Sequence, residues 1–194
     1  MVKKSTTSKK NKNIKSYYSF NFFKKIFILY WFFSLLGHYA ENFWAFLNHI
    51  VTGDPYKEHI VSTIIPLASP YGLGFVLIIL IVWPLIKSRR INPIAAFVLN
   101  SVIAAVTEYF SAAFVVMIYG RNDFWDYSMK PLNINGYICF ESIVIFGIAA
   151  TLFIYFIYPL IEKLIQRFNR RQINIIFWIL FISYILDSIH TYTK

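Results

Sequence analysis

Cysteine occurs once in the 194 residues, at Cys139. That excludes an intramolecular disulfide and a thiolate metal cluster, and reads as a small packing residue beside Ile138 and Phe140. Phosphate-cradling loop, nucleophile elbow, zinc-protease helix and dinucleotide fingerprint are all missing, so the chain has no recognised route to hydrolysing ATP and implies no cofactor. Polar residues are scarce as well. With 58% hydrophobic residues and a mean hydropathy of +0.55, too little polar surface remains for a soluble domain of this length.

What the chain has instead is five apolar runs, 26–47, 60–86, 94–118, 137–161 and 173–189. Each is near or above the roughly 17 to 25 residues that cross a hydrocarbon core. Backbone groups in lipid need internal partners, and no dyad alternation points to a barrel, so the expected fold is all-α, an integral membrane bundle of five transmembrane helices. Residues 1–21 are polar and Lys-rich, without helical periodicity, and read as a disordered basic arm; residues 22–194 read as one transmembrane domain. The first run is too long for a cleaved signal peptide and lacks a small-residue cleavage site.

All nineteen Lys and Arg residues lie outside the runs. Fifteen precede the first run or fall in the second and fourth connections, and four fall in the first and third connections and the tail. The positive-inside bias therefore places the N-terminus in the cytoplasm and the C-terminus outside, in a multi-pass protein of the cell membrane. Topology accounts for the net charge of +10, so nucleic acid is not an expected partner. The bilayer is.

Four of the nine carboxylates break the pattern by lying within the runs: Glu41, Glu108, Glu141 and Asp187. Acids at bilayer depth are costly charged or protonated, which makes them candidates for function. Helical rise puts Glu41, Glu108 and Asp187 roughly 21 to 22 Å from the cytoplasmic ends of their runs and Glu141 about 6 Å from the outer surface. All four then share one broad outer layer, with no Lys or Arg inside the runs to neutralise them. His38 and Glu41, and likewise Asp187 and His190, are three residues apart on one helix face. Such pairs can hold a divalent metal, relay protons, or simply be wet near the headgroups. Glu108 is the deepest acid, flanked by Ala104, Ala105, Ala112 and Ala113, which permit close helix approach.

In the second run Pro66, Pro70, Gly72 and Gly74 fall within nine residues, so a kink or unwound stretch is expected there, with Tyr71 beside it. Broken helices of this kind present free backbone groups to transported substrates, and also serve as plain packing kinks. The third connection, 119–136, is long enough to be functional. It offers Trp125 and Tyr127 to the headgroup layer, Asp123 and Asp126 as acceptors, and turn chemistry at Pro131 and Asn133-Ile-Asn135-Gly136.

The stretch Phe124-Trp-Asp-Tyr-Ser-Met-Lys-Pro-Leu-Asn-Ile-Asn-Gly-Tyr-Ile-Cys139 resembles the signature of the type IV, CmpB-like ABC-transporter membrane proteins. The likeness extends to Thr107-Glu108-Tyr109, to Ser69-Pro70-Tyr71-Gly72-Leu73-Gly74, to Tyr39-Ala40-Glu41 and to Asp187, and covers nearly everything after the arm. It departs at Tyr137, where the family has Arg, and at Leu67-Ala-Ser-Pro, where the family has Gly-Pro-Tyr. The resemblance implies an ABC-transport permease. The substrate-binding residues expected from residues and resemblance together are Glu41, Pro70, Tyr71, Gly72, Glu108, Trp125, Asp126, Tyr127, Asn133, Asn135 and Glu141, with His38, Glu41, Asp187 and His190 as metal candidates. No catalytic residue is assigned.

A transport-type protein taking a polar or cationic substrate leads this reading. Any ATPase would then be a separate polypeptide docking on 87–92 and 162–172, and five spans would call for a homo-oligomer or an accessory subunit. Two alternatives stay open. One is an intramembrane enzyme, metal-dependent or not, acting on a lipid or envelope precursor with Glu108, Asp126 or Glu141 as general base. The other is a non-catalytic partner subunit.

Overall fold

The computed structural model describes residues 20–53, 64–122 and 125–192. The basic arm as far as residue 19, and Asp123 and Phe124 of the third connection, lie outside them. Six helices account for most of the described chain: α1 (Phe20–Thr52), α2 (Ser69–Lys87), α3 (Pro93–Tyr119), α4 (Phe140–Leu152), α5 (Tyr158–Arg167) and α6 (Arg170–Tyr192). A five-residue π-turn, Phe153–Ile157, joins α4 to α5. Pro159 follows it and has no N–H to give to the preceding turn, so the helix widens there instead of closing an ordinary bond.

Each boundary has a local cause. Asn92 Oδ1 accepts the Ala95 N–H at 2.8 Å ahead of Pro93, and Gly120 ends α3 at φ 74° with its N–H on the Val116 carbonyl. Asn169 and Gln172 exchange reciprocal side-chain to backbone bonds of 2.9 Å at the start of α6, satisfying donors a helix start leaves open. The Pro and Gly cluster of the second run starts a helix rather than interrupting one. Residues 64–68 are irregular, Pro70 sits in the first turn of α2, and Gly72 and Gly74 are helical. Residues 60–63 of that run lie outside the described residues.

Four helices are long and apolar enough to cross a membrane: Ser69–Lys87, Pro93–Tyr119, Phe140–Arg167 and Arg170–His190. The α1 helix has ample length at 33 residues, but Lys24 and Lys25 at one end and His38 to Asn42 further along dilute its apolarity. On α3 the usual amphipathic pattern is inverted. Val98, Val102, Val106, Phe110, Phe114 and Met117 form an exposed apolar stripe, whereas Asn100, Ser101 and Thr107 are buried. Such a stripe is a liability in water and is at home in lipid.

The α2 helix packs between α1 and α3, α3 lies along α4, and α6 lies against α1. A core of Leu29, Phe33, Ile78, Ile79, Val82, Ala96, Ala150, Phe153, Ile154 and Tyr158 binds α1 to α5 together. Phe33, Phe75 and Phe153 meet at its centre with ring centroids 4.5 to 5.0 Å apart, within the favourable range for aromatic pairs. The closest approaches are made by glycine. A Cβ on Gly72 would overlap Ser34 Oγ and lie 2.5 Å from the Tyr30 carbonyl oxygen, and one on Gly37 would lie 2.5 Å from Tyr71 Cβ.

Side-chain contacts settle which segments share an end. Lys87 pairs with Glu162 at 3.0 Å, and buried Lys24 donates to Asn174 Oδ1. The turns rich in Lys and Arg are thereby gathered at one end of the bundle, and the third connection occupies the other.

Candidate functional site

The third connection folds back on itself. Strands β1 (Asn133–Ile134) and β2 (Ile138–Cys139) pair antiparallel, so the apolar run from Tyr137 opens as a strand and becomes helical only at Phe140. Their link is Asn135-Gly136-Tyr137, with φ of 55° and 70° at Asn135 and Gly136 and the Tyr137 N–H on the Ile134 carbonyl at 3.0 Å. Positive φ at both central residues is the geometry that Asn-Gly favours in tight hairpins. Several residues expected to bind substrate build this loop. Asn133 Nδ2 donates to the carbonyls of Ser128 and Lys130 and its Oδ1 accepts the Gly136 N–H; Trp125 Nε1 donates to the Tyr137 carbonyl at 3.0 Å. Asp126 is exposed and accepts the Ser128 N–H at 2.8 Å. That bond holds its carboxyl below the ordinary range. Asn135 Nδ2 donates to Tyr109 Oη at 2.9 Å, tying the hairpin tip to α3.

Anchored in this way, the loop places Tyr127 over α3. Its hydroxyl donates to Glu108 Oε1 at 2.9 Å, and Ser142 Oγ, one turn into α4, lies 3.1 Å from Glu108 Oε2. The same Ser142 oxygen is 2.9 Å from the Cys139 carbonyl, so its one proton serves two acceptors. Ser142 is a site residue that the sequence reading missed. The available signal was its position three residues after Cys139, where it forms a reciprocal cap with that residue at the start of α4. A second pair stands beside the first: Tyr71 on α2 donates to Glu41 Oε1 on α1 at 2.8 Å, with Phe146 of α4 edge-on to the Tyr71 ring.

The two pairs meet across α4, where Ser142 touches Glu108 and Phe146, one turn further on, faces the Tyr71 ring. Burial raises the pKa of the Tyr127 phenol most, the charge of Glu108 and the bond to it add to the rise, and the charge of Glu41 contributes as well. Among the described residues no Lys or Arg pairs with Glu41 or Glu108.

The other two acids of the expected layer lie elsewhere. Glu141 is exposed and pairs with Lys130 at 2.8 Å. Asp187 is buried and accepts the N–H groups of Ile64 and Ile65 at 3.1 and 3.0 Å, so it fastens the irregular segment before α2 to α6. His38 is buried, with Nε2 2.9 Å from Asn42 Nδ2 and Nδ1 without a hydrogen-bond partner among the described residues. Among the described residues no group of three or more His, Cys, Asp and Glu comes together that could hold a metal ion. Pro70 and Gly72 bear on the site through the start of α2 and its close contact with α1.

A multi-pass bundle with polar residues turned inward and aliphatic residues turned outward defines an integral membrane protein. Residues 28–192 match the family described as "Putative ABC-transporter type IV". The chain belongs to that family, and is a membrane protein of a transport-related kind. No curated protein and no solved structure matches it.

Proposed function

We propose that the chain is the membrane-embedded part of a transport system, and that Glu41, Tyr71, Glu108, Tyr127 and Ser142 form its polar site beneath the hairpin. The observation carrying this reading is the double pair: two carboxylates from separate helices, each held by a tyrosine hydroxyl, with no cation beside either among the described residues. A carboxylate in a low-dielectric setting takes up a positive charge or a proton to lower its energy. Two side by side favour a cationic or strongly polar cargo, and the aromatic rings of Tyr71, Tyr127 and Phe146 suit an organic ammonium group. In this reading α1 is a fifth span and the basic end faces the cytoplasm of the cell membrane, in keeping with the Lys and Arg asymmetry. The hairpin end is then external, and energy comes from a separate ATPase meeting the basic end, with homo-oligomers completing the pathway.

The test uses the purified full chain in detergent and a panel of small cations, from sodium and magnesium to alkylammonium ions, with thermal unfolding as readout. Binding to the folded state raises the midpoint. At least one cation is expected to do so in the unaltered protein and to lose the effect in Glu41→Gln/Glu108→Gln. No shift from any cation, or a shift that survives in the double variant, overturns the site.

A further inference from the structure

At the end of the bundle opposite the hairpin, Glu162 is already engaged: it accepts Trp83 Nε1 at 3.3 Å and Lys87 Nζ at 3.0 Å. The nearby cations Lys163, Arg167, Arg170 and Arg171 are all exposed, and among the described residues none of them pairs with a carboxylate. They share α5 and its turn into α6 with two exposed leucines, Leu160 and Leu164. On a helix, residues four apart stack along one side. Leu160 and Leu164 therefore form an aliphatic stripe, and Lys163 and Arg167 form a cationic stripe next to it.

Length decides where this double stripe sits. The continuous stretch Phe140–Arg167 has 28 residues, about 42 Å at helical rise, against roughly 30 Å of hydrocarbon. Its last turns, which are α5, emerge into the headgroup layer. Water leaves the leucines unsatisfied there, and hydrocarbon leaves the cations unsatisfied. One kind of partner meets both demands: an acyl chain along the leucines and an anionic phosphate at the cations. An acidic protein surface answers only the cations.

We infer that α5 and its turn into α6 form a binding surface for an anionic phospholipid, the headgroup held by Lys163, Arg167, Arg170 and Arg171 and an acyl chain held by Leu160 and Leu164. Selectivity resides in the headgroup charge and retention in the leucines.

The purified full chain is incubated with phosphatidylglycerol and phosphatidylcholine in mixed micelles, and retained lipid is read by native mass spectrometry. The unaltered protein is expected to prefer phosphatidylglycerol by at least about tenfold, falling to within about twofold in Lys163→Gln/Arg167→Gln/Arg170→Gln/Arg171→Gln. Removing four cations can disturb insertion, so a salt titration of the unaltered protein provides the second arm: the preference should collapse as ionic strength rises. Leu160→Gln/Leu164→Gln should lower retention of both lipids and keep their ratio. Equal retention of the two lipids by the unaltered protein overturns the inference. So does a preference that withstands both salt and the fourfold variant, or one abolished instead by Arg121→Gln/Lys130→Gln at the other end. If the four cations prove necessary to keep a co-purifying ATPase while the lipid ratio is unchanged, the surface is a protein-docking site and the lipid assignment falls.

Discussion

The two carboxylate–tyrosine pairs have the same chemistry and different supports. Glu41 and Tyr71 both project from long helices whose crossing is fixed by Gly37 and Gly72, so their 2.8 Å bond is built into the contact between α1 and α2. Glu108 is on a helix, but Tyr127 hangs from a hairpin held by side-chain bonds of Asp126, Asn133 and Trp125. One pair is rigid because drawing its two residues apart means parting two helices. The other can open when a loop lifts, and loops sit at the low end of local stability.

The strongest test of that contrast is Gly72→Ala. The new methyl group would press on Ser34 Oγ, which can rotate away, and on the Tyr30 carbonyl oxygen 2.5 Å from it, which cannot withdraw without moving a helix. A loss of about 2 to 3 kcal/mol in unfolding free energy is expected, measured by denaturant titration in detergent. Gly147→Ala, at the contact between α3 and α4, presses on Ser101 Oγ and Phe97, side chains rather than backbone, and should cost clearly less. Equal losses would mean that the α1–α2 contact is no tighter than its counterpart.

Tyr127→Phe leaves Glu108 with only Ser142, and a loss of about 1 to 2 kcal/mol follows from the missing bond. Hydrogen exchange should rise across 125–139 and stay unchanged in α1 and α2. In Tyr71→Phe the loss should be similar, but without local opening of either helix. If both variants loosen their surroundings alike, the rigid and movable assignments are wrong. Gly136→Ala is a smaller perturbation. Its left-handed φ of 70° and the Asp126 oxygen 3.1 Å from the new methyl group predict a cost of about 1 kcal/mol, confined to the hairpin in amide exchange.

The smallest effect is acid weakening of the loop. The Asp126 carboxyl is held below its ordinary value of 3.8 by the Ser128 N–H. A group lowered in the folded state supports that state above its unfolded pKa and loses the effect as pH falls through the folded value. Protection of the Ser128 amide should therefore be constant near neutrality and fade below about pH 4, and Asp126→Asn should remove the pH dependence while leaving the Tyr71 pair unaffected.

Much of the architecture could be read from hydrophobic runs, because lipid demands a continuous apolar surface and internally bonded backbone at every crossing. Thus α3, expected at 94–118, spans Pro93–Tyr119. The Asn-Gly turn was likewise legible, because its chemistry is local. Which of the four acids meet was not. Depth along a helix can be counted from sequence, but direction around it depends on packing, and that turned Glu141 to Lys130 and Asp187 to the Ile64–Ile65 backbone. Asn133 and Asp126 were good candidates for binding by residue type alone. The bonding capacity of Asn133 is spent inside the loop, whereas the exposed Asp126 uses one oxygen on the Ser128 N–H.

Sequence alone determined that this is a helical membrane protein with its cations outside the apolar runs and some of its acids within them, since burial in hydrocarbon acts on composition residue by residue. Only the tertiary structure decided which acids meet. Pairing Glu41 with Tyr71 and Glu108 with Tyr127 depends on glycine-mediated helix contacts and on a hairpin folding back by some twenty residues, and such distances in space are fixed by packing rather than by the order of the chain.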